Sequence, residues 1–230
     1  MAHLRLDRRA LLAGLGVAAL AGCATEPEPP GSRTTDAGEQ PVAGGPERIT
    51  YGDDPSQWVD VHTPDGTSRG LVVVIHGGFW KAEYGAEYGA PLAEDLVGRG
   101  WTAANVEYRR VGNGGGFPET LDDVHAAIGA VAGRAGSGAD GPVIALGHSA
   151  GGHLASTLLT HFDAGLNTAS DVIERESSRP DLGILCYPVI TMGEFTHGGS
   201  KKNLLGPEPT QELIDLLVAV EPAIRPFRSP

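Results

Sequence analysis

The sequence predicts an α/β protein in which a mostly parallel sheet carries helices on both faces. Short apolar runs alternate along the chain with segments of helical periodicity, which is typical of strands joined by crossover helices. The run at 71–75, Leu-Val-Val-Val-Ile, is apolar at every position, as expected for a strand buried on both faces. At 230 residues the chain is long enough for one such domain.

The strands are predicted from side-chain alternation and from apolar or β-branched runs. Residues 58–62 alternate between apolar and polar side chains, which indicates an edge-type strand. Further strands are predicted at 71–75, 101–108, 142–147 and 182–190.

The helices are predicted between these strands from apolar positions that recur every three or four residues. Segment 117–131 contains Pro118, a residue that favours a first helical turn. The helical segments are 85–98, 117–131, 150–161 and 209–220.

Residues 1–22 have the features of an export signal. Paired arginines at 8 and 9 precede an apolar run that is shorter than the ~20 residues needed to span a bilayer. The pair resembles a twin-arginine signal, and Leu-Ala-Gly before Cys23 resembles a lipobox. We therefore expect an exported protein, either a cell-envelope lipoprotein with lipidated Cys23 or, if this cysteine is incidental, a secreted protein. Any membrane association would be through this lipid anchor.

Three further segments complete the predicted organisation. Residues 23–48 hold many prolines and few apolar side chains, which predicts a flexible linker. The hydrolase-type domain is expected over 49–220, and 221–230 is expected to be an irregular tail. The formal net charge of −12 disfavours nucleic acid as a partner.

Residues 147–151 form a G-x-S-x-G motif between a predicted strand and a predicted helix. This context indicates a nucleophile elbow, a tight turn that raises Ser149 above the sheet, with Gly147 and Gly151 relieving steric crowding. The Ala150 N–H would then point towards an oxyanion at the start of the helix. The alternative is a glycine-rich turn without chemistry.

A second motif, His76-Gly77-Gly78-Phe79, follows directly after the strand at 71–75. Glycines at such a position let backbone N–H groups face a substrate oxygen, so we expect Gly78 and Phe79 to donate to the oxyanion. His76 is expected to brace this loop rather than to act as a base. Viewed alone, the motif could also be an ordinary Gly-Gly turn.

Together these motifs resemble the α/β-hydrolase superfamily, in particular esterases and lipases with an HGG oxyanion loop. Residues 58–133 resemble kynurenine-formamidase-like hydrolases, and 147–206 resemble acetylxylan- and feruloyl-esterase-like proteins. The resemblance covers about residues 50–215. It implies an α/β-hydrolase fold and a serine hydrolase that needs no cofactor and no metal.

The resemblance also implies a catalytic acid and a histidine base, in that order, after Ser149. The resemblance places the acid after a seventh strand and the histidine after an eighth. The later histidines are His153, His161 and His197, and none follows an eighth strand. The acids Asp163, Asp171 and Asp181 precede His197, but none follows a seventh strand. His197 is the candidate base, although it comes one strand early. The domain is therefore expected to be incomplete and to lack its C-terminal strands.

These observations predict a serine hydrolase of carboxylic esters. Small acyl or acetyl esters, free or on a polysaccharide, are the expected substrates, because export favours a polymer outside the cell. Two alternatives remain open: an arylformamidase-like amide hydrolase, and a catalytically inactive hydrolase-fold lipoprotein that serves as a scaffold or binding module.

Overall fold

The computed structural model describes residues 45–132, 141–160, 179–194 and 196–218. The predicted export signal, Cys23, the linker up to residue 44 and the predicted tail at 221–230 lie outside the described residues. The strands are β1 (Glu47–Thr50), β2 (Trp58–His62), β3 (Leu71–Ile75), β4 (Thr102–Glu107), β5 (Val143–His148) and β6 (Leu182–Cys186). The helices are α1 (Ala90–Gly98), α2 (Glu119–Ala132), α3 (Ala150–Thr160), α4 (Gly198–Leu205) and α5 (Gln211–Val218), with a short 3₁₀ helix at Ala86–Tyr88.

The strands of the described residues form one mixed sheet in the order β1-β2-β4-β3-β5-β6. β1 and β2 pair antiparallel, as do β2 and β4, whereas β4, β3, β5 and β6 run parallel. The carboxyl ends of β3 and β5 therefore meet at the same edge of the sheet, in the region where open α/β sheets bind ligands.

Alternating side chains of β3 divide the core into two layers. Leu71, Val73 and Ile75 pack with the apolar faces of α2 and α3, whereas Val72 and Val74 pack beneath α1. Every residue of β3 is buried, as its unbroken apolar run predicts. The predicted fold class, a mostly parallel sheet with helices on both faces, is confirmed.

The edge prediction for residues 58–62 is wrong. β1 covers the outer side of β2, and Arg48 makes a bidentate ion pair with Asp60 at 2.7 and 2.8 Å. The Arg48 guanidinium also lies 3.5 Å from the centre of the Trp58 ring. β1 thus begins at Glu47, two residues before the predicted start of the domain at residue 49, because a charged pair rather than an apolar pattern holds it.

Two C-terminal elements also differ from prediction. β6 ends at Cys186 instead of continuing to 190, because Tyr187 has a φ of 37° and Pro188 follows it. Helix α4 was not predicted, since Gly198 and Gly199 open it and glycine disfavours helix interiors.

No helix among the described residues is long and apolar enough to cross a membrane.

Candidate active site

Ser149 lies in the turn between β5 and α3 and has a φ of 54°. A non-glycine residue in this left-handed region is strained and marks a site where the surroundings hold the backbone in place. A Cβ at Gly147 would lie 2.1 Å from the Gly151 carbonyl oxygen, and one at Gly151 would lie 2.1 Å from that of Ile75. Both glycines of the G-x-S-x-G motif are therefore sterically required by this turn.

The backbone of Ser149 is held from two sides. Its N–H donates to the Cys186 carbonyl at the end of β6 (3.0 Å), and its carbonyl accepts from the N–H groups of Val189 (3.3 Å) and His153 (3.1 Å). Since the Ser149 amide is already bonded, it does not face the cavity as an oxyanion donor. The motif predicts that role for the next amide, of Ala150.

The loop after β3 contains three consecutive residues with positive φ: Gly78 (110°), Phe79 (54°) and Trp80 (55°). Such values are unusual for bulky aromatic residues and indicate a strained segment. The buried Trp80 ring anchors the loop by an edge-on contact with His153 on α3, with ring centres 5.4 Å apart.

The amides of this loop and of the elbow are the predicted donors to a substrate oxygen. Outside helices and strands, none of the backbone hydrogen bonds among the described residues has Gly78, Phe79 or Ala150 as its donor. Gly78 and Phe79 line the same cavity as Ser149. This arrangement is compatible with the predicted oxyanion hole, whose role stays a prediction.

His76 lies beneath the oxyanion loop and is fully buried. Its ring stacks on Tyr108 with centres 4.4 Å apart, and Nδ1 lies 2.8 Å from the Gly77 carbonyl, which can only accept, so Nδ1 carries the proton. The Tyr108 hydroxyl donates to the His76 carbonyl at 2.7 Å. Burial lowers the pKa of His76 to about 4, so the ring is neutral near pH 7. These contacts fit the predicted bracing role.

A buried ion pair behind this loop was not anticipated from the sequence. Glu107, at the end of β4, pairs with Arg110 and accepts a hydrogen bond from the Ala86 N–H at 2.6 Å. Arg110 in turn donates to the Tyr84 carbonyl. Burial raises the pKa of Glu107, although the Arg110 charge opposes this shift. The pair thereby fixes the segment that carries Tyr84, a wall of the cavity.

The cavity next to Ser149 has a volume of about 250 Å³. Aromatic rings and glycine backbone make up most of its lining, so it suits a small acyl group better than a charged one. It is lined by Gly77, Gly78, Phe79, Tyr84, Tyr88, His148 and Ser149.

His148 is a cavity residue that sequence reasoning missed, since the motif leaves its position unspecified. Burial lowers its pKa. The predicted base, His197, is exposed at the start of α4, and its ring lies 6.2 Å from that of Phe79, centre to centre. The structure thus places His197 beside the oxyanion loop but not in the cavity lining.

The other acid and base candidates lie away from Ser149 or outside the described part. Asp181 accepts from the Val143 N–H at 2.8 Å, at the opposite end of β5 from Ser149, and so acts as a cap on that strand. His153 is buried on α3. His161, Asp163 and Asp171 lie outside the described residues.

The sheet order, the strained serine after β5 and the glycine loop after β3 together define an α/β-hydrolase. Comparison with family models gives the particular group: the BD-FAE model matches residues 59–215, and the chain belongs to that family.

Similar proteins are esterases and xylan-related enzymes. The acetyl ester-xyloside bifunctional hydrolase of Caldicellulosiruptor lactoaceticus superposes with a TM-score of 0.63 and 30% identity over 78% of this chain and 71% of its own. Esterase 2 of Thermogutta terrifontis, solved phosphoramylated by tabun, superposes with a TM-score of 0.57 and 25% identity over 72% of this chain and 63% of its own. Endo-1,4-beta-xylanase B of Butyrivibrio fibrisolvens is 32% identical over 167 residues, 71% of this chain. This chain spans only 26% of that xylanase.

These relatives agree with the esterase branch of the predicted resemblance, and the chain is a hydrolase by family.

Proposed function

We propose that this protein hydrolyses esters of small carboxylic acids, with Ser149 as the nucleophile and a polysaccharide as the natural alcohol. The observation that carries the proposal is the strained Ser149 at the edge of a 250 Å³ cavity that Gly78 and Phe79 also line. The substrate class follows from the relatives, one of which is named as a hydrolase of acetyl esters and xylosides.

In the proposed reaction, Ser149 Oγ attacks the ester carbonyl carbon and gives up its proton to a base. The carbonyl electron pair moves to the oxygen, where the amides of Gly78, Phe79 and Ala150 stabilise the negative charge. The tetrahedral intermediate collapses, the alcohol leaves with a proton, and the acyl group stays on Ser149. Water then attacks this acyl-enzyme, releasing the acid and restoring the serine.

Among the described residues, His197 is the predicted candidate for the base, and a variant tests it. Loss of the base in serine hydrolases removes most of the rate, whereas the oxyanion hole and binding preserve a residual ~10³–10⁴-fold acceleration over water. His197→Ala should therefore lower acetate release by orders of magnitude if this residue is the base. An unchanged rate would exclude His197 as the base.

Labelling with a fluorophosphonate tests the nucleophile. The probe should label the protein once, and Ser149→Ala should abolish labelling. Ser156→Ala is a matched control, since Ser156 lies on α3, the helix that follows Ser149, but is buried and donates to the His153 carbonyl at 2.7 Å. A folded protein that the probe never labels would reject the enzyme and favour the inactive scaffold. A panel of acetyl esters and formyl amides would separate the esterase from the arylformamidase-like alternative.

We also propose export and lipidation at Cys23, which rest on the signal sequence. Radiolabelled palmitate should enter the wild-type protein expressed in bacteria, and Cys23→Ser should block it. A protein that is cleaved but never labelled would indicate a secreted form without an anchor.

A further inference from the structure

Tyr187 combines a strained backbone with an exposed aromatic ring. Its φ is 37°, a conformation that bulky residues rarely adopt, and 76% of the residue is exposed. Residues held in such conformations cluster at ligand-binding and catalytic sites. An exposed ring in this position adds little to the core, so its packing within the fold does not explain it.

The position of Tyr187 connects it to the nucleophile. It lies between Cys186 and Val189, two of the residues whose backbone groups bond to the backbone of Ser149. Its ring centre is 6.1 Å from that of His148, which lines the cavity. Tyr187 itself is not part of the cavity lining, and so it borders the site from outside.

Two other exposed aromatic residues border the same cavity. Phe79 is 44% exposed and Tyr88 is 55% exposed, and both line the cavity. Phe79, Tyr88 and Tyr187 are the only large aromatic residues that are exposed to solvent among the described residues. Exposed aromatic surface is thus concentrated around Ser149, which indicates a binding surface rather than scattered surface residues.

We propose that Tyr187 is the stacking platform for the sugar ring that carries the ester, and thus a specificity-determining residue for the alcohol side of the substrate. This inference rests on the proposed ester hydrolysis at Ser149. The acyl group occupies the cavity, so the alcohol remains outside it, where the Tyr187 ring stands. A pyranose ring presents a face of C–H groups that packs on an aromatic ring, and its hydroxyls stay at the edge in water.

The chemistry of the surroundings favours a neutral sugar. The rings of Phe79, Tyr88 and Tyr187 carry no charge, and the protein as a whole has a net charge of −12. An anionic substrate would be repelled, whereas a neutral xylose-type ring would lose little solvation on stacking.

The test compares an ester of a sugar with an ester that has no ring. Tyr187→Asn removes the aromatic ring but keeps a residue that tolerates positive φ, and Tyr187→Trp is the matched variant that retains a stacking surface. We expect Tyr187→Asn to raise KM for acetylated xylotetraose about 3- to 10-fold, with KM and kcat for ethyl acetate unchanged. Tyr187→Trp should keep the wild-type KM.

Two outcomes would overturn the inference. One is an unchanged KM for acetylated xylotetraose in a folded Tyr187→Asn protein. The other is an equal loss of kcat on both esters, which would mean that Tyr187 acts only through the backbone of Ser149. Thermal unfolding of each variant establishes that it is folded.

Binding without turnover separates this inference from the proposed function. In a Ser149→Ala background, titration calorimetry with unacetylated xylotetraose measures the stacking alone. Weaker binding in Ser149→Ala/Tyr187→Asn supports the platform even if the wild-type protein hydrolyses neither ester, in which case only the ester reaction fails. Equal binding in the two proteins, or none in either, rejects the platform.

Discussion

Replacing Gly151 by alanine should disrupt the elbow. The new Cβ would lie 2.1 Å from the Ile75 carbonyl oxygen and 2.4 Å from that of His76, whereas real Cβ contacts stay above 3.0 Å. Helix α3 would have to move away from β3 by about 1 Å. Overpacking of this kind costs about 1–3 kcal/mol in the free energy of unfolding.

For a domain of this size, that cost corresponds to a Tm lower by about 2–12 °C. Fluorophosphonate labelling of Ser149 should also slow by about 10²-fold, because a displacement of ~1 Å at a reacting group has that effect. Differential scanning fluorimetry and the rate of labelling measure the two effects separately.

Gly98→Ala is the control for the same chemical change. Gly98 ends α1, and nothing lies within 4 Å of a Cβ placed there. Alanine at a helical glycine stabilises by about 0.5–1 kcal/mol, so this variant should melt slightly higher than wild type and label normally. The reasoning is refuted if Gly151→Ala melts and labels like Gly98→Ala.

Three further predictions concern buried or partly buried groups. Asp123→Asn should lower the free energy of unfolding in urea by about 3 kcal/mol, because it breaks the bidentate pair between buried Asp123 and Arg109, whose side chain is only 24% exposed. Burial and the negative charges nearby raise the pKa of Asp122 to about 6, so the folded protein holds a proton that the unfolded chain releases. The free energy of unfolding should therefore fall as the pH rises from about 4 to about 6. Asp122→Asn should flatten this pH dependence when melting is measured across the same range. The His76 ring, with its pKa lowered to about 4, should show constant NMR shifts from pH 8 down to about pH 5, and a titration near 6.5 would contradict its burial.

Much of the parallel core could be predicted from sequence, because the signal for a buried strand is local. β3 is apolar at every position, and β5 leads directly into the G-x-S-x-G motif, so both strands and the turn after them follow from short segments. The glycines of the motif predict a turn too tight for a side chain. A Cβ placed at Gly147 or Gly151 would indeed clash with neighbouring backbone atoms.

The elements that were missed depend on partners distant in sequence. β1 is held by Arg48 against Asp60 of the next strand, and no apolar period marks it. Helix α4 begins with two glycines and is fixed by burial of Ser200 and Leu204. Tertiary contacts overrode local propensity in both places.

The surroundings of the site were harder still to foresee. Glu107 is a charged residue at the end of a buried strand, and its partner Arg110 reaches it only because the chain turns after β4. The positive φ of Tyr187 is a property of the backbone that no side-chain pattern records. Sequence therefore predicted a nucleophile but not the residues that form the cavity walls around it.

The hydrogen bond from the Ser149 amide to the Cys186 carbonyl makes that amide a reporter of the end of β6. The proton can exchange with solvent deuterium only when this bond opens, so its exchange rate measures how often the strand end separates from the elbow. The same opening releases the backbone that holds the serine in its left-handed conformation. Exchange of the Ser149 amide proton and the reactivity of this serine, the proposed nucleophile, should therefore depend on the same opening equilibrium.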